Sequence, residues 1–216
     1  LDDFYIGGAK NQASALFVQQ KDGTFNSVLQ SLWANDKDHE DVASLFFDAD
    51  KDGDLDLYVV SGGSEEEQDE YYQDRFYENQ GDGLFSRPKG VLPIVISSGS
   101  CVKSGDFDND GDLDLFVGGK LIPGKYPLPA DSYLLRNESQ GGKIKFVDAT
   151  DELAPFLKEI GMVSDAEWID VNGDHHLDLV VVGEWMSIMI IKNTENGFVE
   201  VTETGIENQT GWWYSI

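Results

Sequence analysis

The stretch Asp106–Gly118, DFDNDGDLDLFVG, decides how the rest of the chain is read. Carboxylates stand at its first, third, fifth and ninth positions: Asp106, Asp108, Asp110 and Asp114. Gly111 sits where a sharp turn needs a backbone that other residues rarely adopt. Alternating carboxylates in so short a loop aim several oxygens at one point, the ligand set that a hard cation such as Ca²⁺ takes. The loop runs into Leu115-Phe116-Val117, an apolar run of the kind found in strands buried on both faces.

The pattern recurs as DADKDGDLDLYVV over Asp48–Val60 and DVNGDHHLDLVVV over Asp170–Val182, with loop starts 58 and 64 residues apart. That spacing holds one four-stranded antiparallel sheet with its loops, so each repeat reads as a propeller blade. The first loop offers the side chains of Asp48, Asp50, Asp52 and Asp56, with the carbonyl of Asp54 between them and Gly53 at the turn. The second adds the carbonyl of Asp112. In the third, Asp170, Asn172, Asp174 and Asp178 remain, His176 takes the carbonyl position and His175 replaces the turn glycine. One charge fewer and a non-glycine residue at the turn make the third the weakest of three expected Ca²⁺ sites. Ligands that are all hard oxygens favour Ca²⁺ over a transition metal, which leaves both histidines structural or solvent-facing. An EF-hand would need Glu at the twelfth position, where this chain has Val59, Val117 and Val181.

Hairpin patterns follow the loops, at Arg75–Phe85, at Tyr133–Asn137 with Phe146–Thr150, and at Ile188–Asn193 with Phe198–Thr202; Leu16–Phe25 is a further copy. Asp3–Gly8 aligns with Asp114–Gly119, which puts Asp3 at the last ligand position of a loop, and Gly211–Ile216 aligns with Gly161–Ala166. The expected fold is all-β, a propeller or propeller segment of about four four-stranded antiparallel blades. One repeat domain spans 1–216, with units near 1–47, 48–105, 106–169 and 170–216. Open blade edges would template self-association. Asp148–Ile160 should form at most a short helix, because Pro155 interrupts its apolar stripe, and the acidic insertion Glu65–Tyr72 reads as a solvated loop.

With 41 acidic against 15 basic residues the chain carries a net charge of −26, which disfavours nucleic acid and anionic lipid surfaces as partners. The single cysteine, Cys101, cannot form an internal disulfide and is expected to be a small buried apolar group. No stretch has the roughly 20 apolar residues of a membrane helix. Asn137 and Asn208 stand in glycosylation tripeptides of a kind that often arises by chance.

Residues Phe47–Leu57, Gly105–Leu115 and the hairpin at Tyr77–Phe85 make the chain resemble the FG-GAP and VCBS-type repeats of integrin α-chain propellers and secreted bacterial proteins, particularly the ASPIC/UnbV-associated group. The resemblance implies four-stranded blades, ions that stiffen the loops, and an extracellular, secreted, periplasmic or cell-surface location. It implies little about the ligand. The leading functional expectation is a non-enzymatic scaffold, adhesion or self-assembling module with a protein or glycan partner. The alternative is a Ca²⁺-dependent carbohydrate-active enzyme, a lyase or hydrolase, or a glycan-binding module. No catalytic residues are singled out, since a pair such as Asp165 and Glu167 beside Trp168 does not stand out among so many acids. Trp185, Trp212 and Trp213 are expected to pack blade cores rather than bind sugar.

Overall fold

A computed structural model of the chain describes residues 3–28, 30–65, 68–81, 83–158, 160–206 and 208–216. Glu66 and Glu67 of the acidic insertion, Asp82 of the first hairpin and Glu159 of the short-helix segment lie outside the described residues.

The strands form four antiparallel sheets in chain order. The first holds β1 (Phe4–Ile6), β2 (Ala15–Gln19) and β3 (Phe25–Val28), followed by the single-turn helix α1 (Ser31–Asn35). The second holds β4 (Asp41–Phe47), β5 (Asp56–Ser61), β6 (Arg75–Asn79) and β7 (Phe85–Ser86). The third holds β8 (Ser98–Gly105), β9 (Asp114–Leu121), β10 (Tyr133–Asn137) and β11 (Phe146–Asp148). After α2 (Thr150–Leu153) and a 3₁₀ turn at Pro155–Leu157 comes the fourth, β12 (Met162–Ile169), β13 (Asp178–Ser187), β14 (Met189–Thr194) and β15 (Gly197–Glu200). A fifth strand, β16 (Thr210–Trp212), pairs with the far end of β13. The protein is therefore a segment of blade-like sheets of three, four, four and five strands.

Each acid loop joins the first strand of a sheet to its second, β4 to β5, β8 to β9 and β12 to β13. Units counted from the loops thus straddle two sheets, and a blade begins one strand earlier than the sequence repeat.

Side chains alternate across a strand, so one strand can feed two cores. Leu57 and Val59 of β5 face the first sheet and pack with Leu16, Trp33 and Tyr77, while Tyr58 and Val60 face the third sheet and meet Val102, Leu115 and Val117. On β9 the same alternation sends Leu115 and Val117 to the second sheet and Phe116 to the fourth, against Trp168, Leu179, Val181 and Ile191. Burial of one such side chain is worth about 1.5–3 kcal/mol, which explains why the apolar runs are continuous rather than alternating. Cys101 is buried in the same core as Phe116, and burial pushes its thiol up to about 11. Among the described residues no helix is long and apolar enough to cross a membrane.

Candidate metal centre

The ninth residue of each loop opens the second strand of its sheet and is buried: Asp56, Asp114 and Asp178. Its carboxylate closes the loop by accepting two backbone amides. Asp114 Oδ2 takes the Phe107 N–H at 3.1 Å and Oδ1 takes that of Asn137 at 2.7 Å. Asp56 does the same with Ala49 and Asn79, and Asp178 with Val171 and Asn193. Asp3 accepts the Gln19 N–H at 2.8 Å, the equivalent bond in the first sheet. Burial raises the carboxyls of Asp56 to about 6 and Asp114 to about 7, against the opposing pull of these amides.

The first residue of each loop differs in a way the motif does not announce. In the first two loops one oxygen accepts the turn glycine's N–H, Asp48 Oδ2 from Gly53 at 3.1 Å and Asp106 Oδ2 from Gly111 at 3.0 Å. The other oxygen, Asp48 Oδ1 or Asp106 Oδ1, is buried with no hydrogen-bond partner among the described residues. An anionic oxygen in that state is costly unless a cation lies against it.

Carboxylate oxygens of Asp48, Asp50 and Asp52 come within 4.8 Å of one another, as do those of Asp106, Asp108 and Asp114. Such a group can hold a hard cation with help from nearby carbonyls. Asp54, Asp56, Asp110 and Asp112 stand outside these two groups, although Asp110 and Asp112 share the second loop. Burial, and then the neighbouring acids, push the carboxyls of Asp50 and Asp108 up, the direction expected where carboxylates crowd without a counter-charge.

The third loop satisfies itself. Asp170 Oδ1 accepts from Gly173 at 2.7 Å and Asp174 at 3.1 Å, and Oδ2 accepts from His175 at 2.9 Å. Asp174 accepts the His176 N–H, and Asn172 accepts that of Asp174. These amides lower the carboxyls of Asp170 and Asp174. Among the described residues no acidic group of the metal-holding kind forms there. His175 and His176 are exposed.

Sequence reasoning missed two parts of the design. First, the fourth loop position is left-handed as well as the sixth: Lys51 and Gly53 have φ of 64° and 95°, Asn109 and Gly111 59° and 90°, Gly173 and His175 78° and 68°. Each loop thus spends one glycine on two such positions, and the third moves it from the sixth to the fourth. Second, Asn137 and Asn193, each at the end of the third strand of its sheet, reach to the preceding blade. Asn137 Nδ2 donates to the Ala49 carbonyl at 2.8 Å, and Asn193 Nδ2 to that of Phe107 at 2.6 Å. The signal was present as an Asn recurring at one phase of the last three hairpins, at Asn79, Asn137 and Asn193, where the first hairpin has Gln19. Because Asn137 is buried and its amide is engaged, it is not a glycosylation acceptor in the folded chain. Loops also touch directly, Lys51 Nζ to Asp112 at 2.5 Å and Asn109 Nδ2 to His176 Nδ1 at 2.8 Å.

Trp185 and Trp212 do not pack a core, contrary to expectation; they are 65% and 49% exposed. A register break between Glu184 and Met186 turns Trp185 out of the sheet. Asp165 and Glu167 share one cation, Lys103 Nζ, at 3.0 and 3.5 Å.

A family model of the FG-GAP-like repeat matches residues 48–117, from the first acid loop to the middle of β9, so the chain carries such a repeat there. Comparison with curated proteins gives no match.

Proposed function

We propose that this chain, with its FG-GAP-like repeat, is a calcium-stiffened propeller segment of an extracellular or cell-surface protein, serving as a non-enzymatic scaffold for adhesion or recognition. The observation that carries the reading is the pair of buried, unpartnered oxygens, Asp48 Oδ1 and Asp106 Oδ1. Asp48, Asp50 and Asp52 would hold one ion, with Asp56 and the Asp54 carbonyl. Asp106, Asp108 and Asp114 would hold a second, with Asp110 and the Asp112 carbonyl. Asp170, Asn172, Asp174, Asp178 and the His176 carbonyl form the weak third site. Bound Ca²⁺ supplies the positive charge that a −26 chain lacks and fixes the loops between adjoining strands. Millimolar extracellular calcium matches sites of the moderate affinity common in extracellular modules.

An enzymatic role gains no support from Asp165 and Glu167, since Lys103 engages both. The outer face of the first sheet, with Phe4, Ile6 and Phe25 exposed, offers area for self-association, which sedimentation tests. Titration calorimetry of chelated protein with CaCl₂ tests the main reading: two sites of moderate affinity and a weaker third are expected, and Asp106→Ala should remove one of the first two. A parent protein that takes up no Ca²⁺ would overturn it.

A further inference from the structure

Each acid loop opens the second strand of its sheet, so the far ends of β9 and β13 lie at the other end of the blades. Four aromatic residues gather there. Trp185 lies near the end of β13, Tyr126 in the connection after β9, Trp212 on β16 and Tyr214 just beyond it, all between 49% and 71% exposed. Trp185 and Trp212 have ring centroids 5.1 Å apart, and Trp212 stacks on Tyr214 at 6.4 Å with 21° between planes. Trp185 Nε1 donates to the Tyr126 hydroxyl at 3.0 Å. The rings therefore support one another as a platform.

The backbone is bent to present them. Trp185 falls at the bulge where the β13–β16 register shifts between Glu184 and Met186, and its φ is +59°, a conformation a bulky side chain rarely adopts. Bulges re-aim side chains, and local strain of this kind gathers at binding sites. Tyr214 also lines a cleft of about 380 Å³ whose other walls carry Ser64, Ser98, Ser100, Ser164 and Lys120. Lys120 Nζ donates to Ser164 Oγ at 3.0 Å and pairs with Glu184 at 2.6 Å, while Ser98 and Ser100 donate to the Gly63 and Gly118 carbonyls at 2.6 and 3.1 Å, so beside Val42 and Leu121 the cleft offers hydroxyl oxygens as acceptors and a neutralised ion pair rather than net charge.

We propose that this aromatic cluster and cleft bind an uncharged polysaccharide chain, the apolar C–H faces of its sugar rings packing against the ring surface that Trp185, Trp212 and Tyr214 leave exposed, while sugar hydroxyls bond in the cleft. Exposed aromatic rings beside a few convergent polar groups suit an amphipathic sugar ring. Acidic polysaccharides are disfavoured by the −26 charge. The proposal names the partner class for the scaffold reading, but it needs no ion in any loop.

Native gel electrophoresis of the full chain in gels containing arabinoxylan, mixed-linkage β-glucan or dextran tests it, with polygalacturonate as the acidic control. Retardation is expected in at least one neutral gel and not in polygalacturonate. Trp212→Ala and Tyr214→Ala should each raise Kd roughly tenfold, the loss of one aromatic anchor, with Ca²⁺ uptake unchanged. Tyr126→Phe, which keeps the ring and loses the bond to Trp185, should weaken binding less. Parent mobility unaltered in every neutral gel, or equal retardation of parent and Trp212→Ala, overturns the proposal. So does sedimentation showing a dimer in which acrylamide no longer quenches the exposed tryptophans, because the rings would then be a contact between copies. Loss of Ca²⁺ binding with sugar binding intact would instead sink the calcium reading alone.

Discussion

The second and third acid loops begin with the same residue and use it in opposite ways. Asp106 spends one oxygen on the Gly111 amide and leaves the other buried and unpaired; Asp170 spends both on three amides of its own loop. Five acids crowd Asp106–Asp114, whereas Asp170–Asp178 holds three, with Asn172 and His176 in place of the others. Less repulsion lets the third loop collapse onto its own backbone. The motif Asp-x-[Asp/Asn]-x-Asp therefore marks a turn geometry, and the buried oxygen of its first aspartate, not the motif, is what sets the first two loops apart from the third.

The largest expected consequence is thermal. Saturating Ca²⁺ at about 100 times Kd stabilises by roughly 2.7 kcal/mol per site, hence about 5 kcal/mol for the first two loops together. Melting followed with CaCl₂ and with chelator should differ accordingly in the parent. Asp106→Ala should lose about half of the gain, and Asp170→Ala should keep nearly all of it. An equal loss in both variants would erase the distinction between the loops.

Next in size is the ninth position, which is structural whether or not an ion is bound. Asp114→Ala strands the buried amides of Phe107 and Asn137, at about 1–3 kcal/mol each. Denaturant unfolding in chelator should show that cost in full, while Asp106→Ala should be close to neutral or stabilising under the same condition, because it removes an unpaired oxygen. If both variants were equally destabilised without metal, the orphan oxygen would not be the strained element.

What could be read from the sequence, and what could not, follows from the range of the interactions. The run Leu57-Tyr58-Val59-Val60 declares a strand covered on both faces, since no solvent-facing strand can be apolar at every position. The acid loops are equally plain as turns, because a loop of nine residues brings its own carboxylates together, although only Asp48, Asp50 and Asp52 of the first and Asp106, Asp108 and Asp114 of the second do so within 4.8 Å. The latches of Asn137 and Asn193 were hidden because their acceptors sit 88 and 86 residues away on a neighbouring blade. Trp185 and Trp212 looked like core residues because nothing local records the register shift opposite β16. The left-handed backbone at Lys51 and Asn109 was masked by ordinary side chains at a position where only Gly173 gives the geometry away.

A buried carboxylate away from every loop gives a control for the charge argument. Asp74 is buried, accepts from Tyr58 Oη at 2.7 Å and the Ser61 N–H at 2.8 Å, and burial raises its carboxyl from 3.8 to about 7. The folded chain then keeps a proton that the unfolded chain releases. Between about pH 4 and pH 7 the unfolded state binds fewer protons, so this group contributes stability at the low end that is lost as pH rises. Asp74→Asn can accept from Ser61 and donate to Tyr58, and it should flatten the fall in melting temperature over that range. An unchanged slope would mean that Asp74 is ionised in the folded chain.

The smallest expected effect probes the third loop itself. His175 holds φ at +68°, where glycine sits in the other two loops, and its amide bonds Asp170 Oδ2. His175→Gly relieves the left-handed strain but enlarges the conformational freedom of the unfolded chain, and the two terms oppose each other at about 1 kcal/mol apiece. Stability should therefore move by less than about 1 kcal/mol. Adding Asn172→Asp restores the acidic side-chain set of the first loop at its first, third, fifth and ninth positions and returns a charge to the third. The added carboxylate repels Asp170 and Asp174, so the self-bonded loop loses part of its advantage over an ion-bound one. Calorimetry of the double variant should show the third site tightening toward the other two, with a modest fall in the melting temperature under chelator, since Asn172 Nδ2 no longer donates to buried Asp178. If the site stayed weak, Gly173 at the fourth position, rather than the missing charge, would be what lets this loop close on its own amides, and Gly173→Asn in the same background would then be needed to bring it to the affinity of the second.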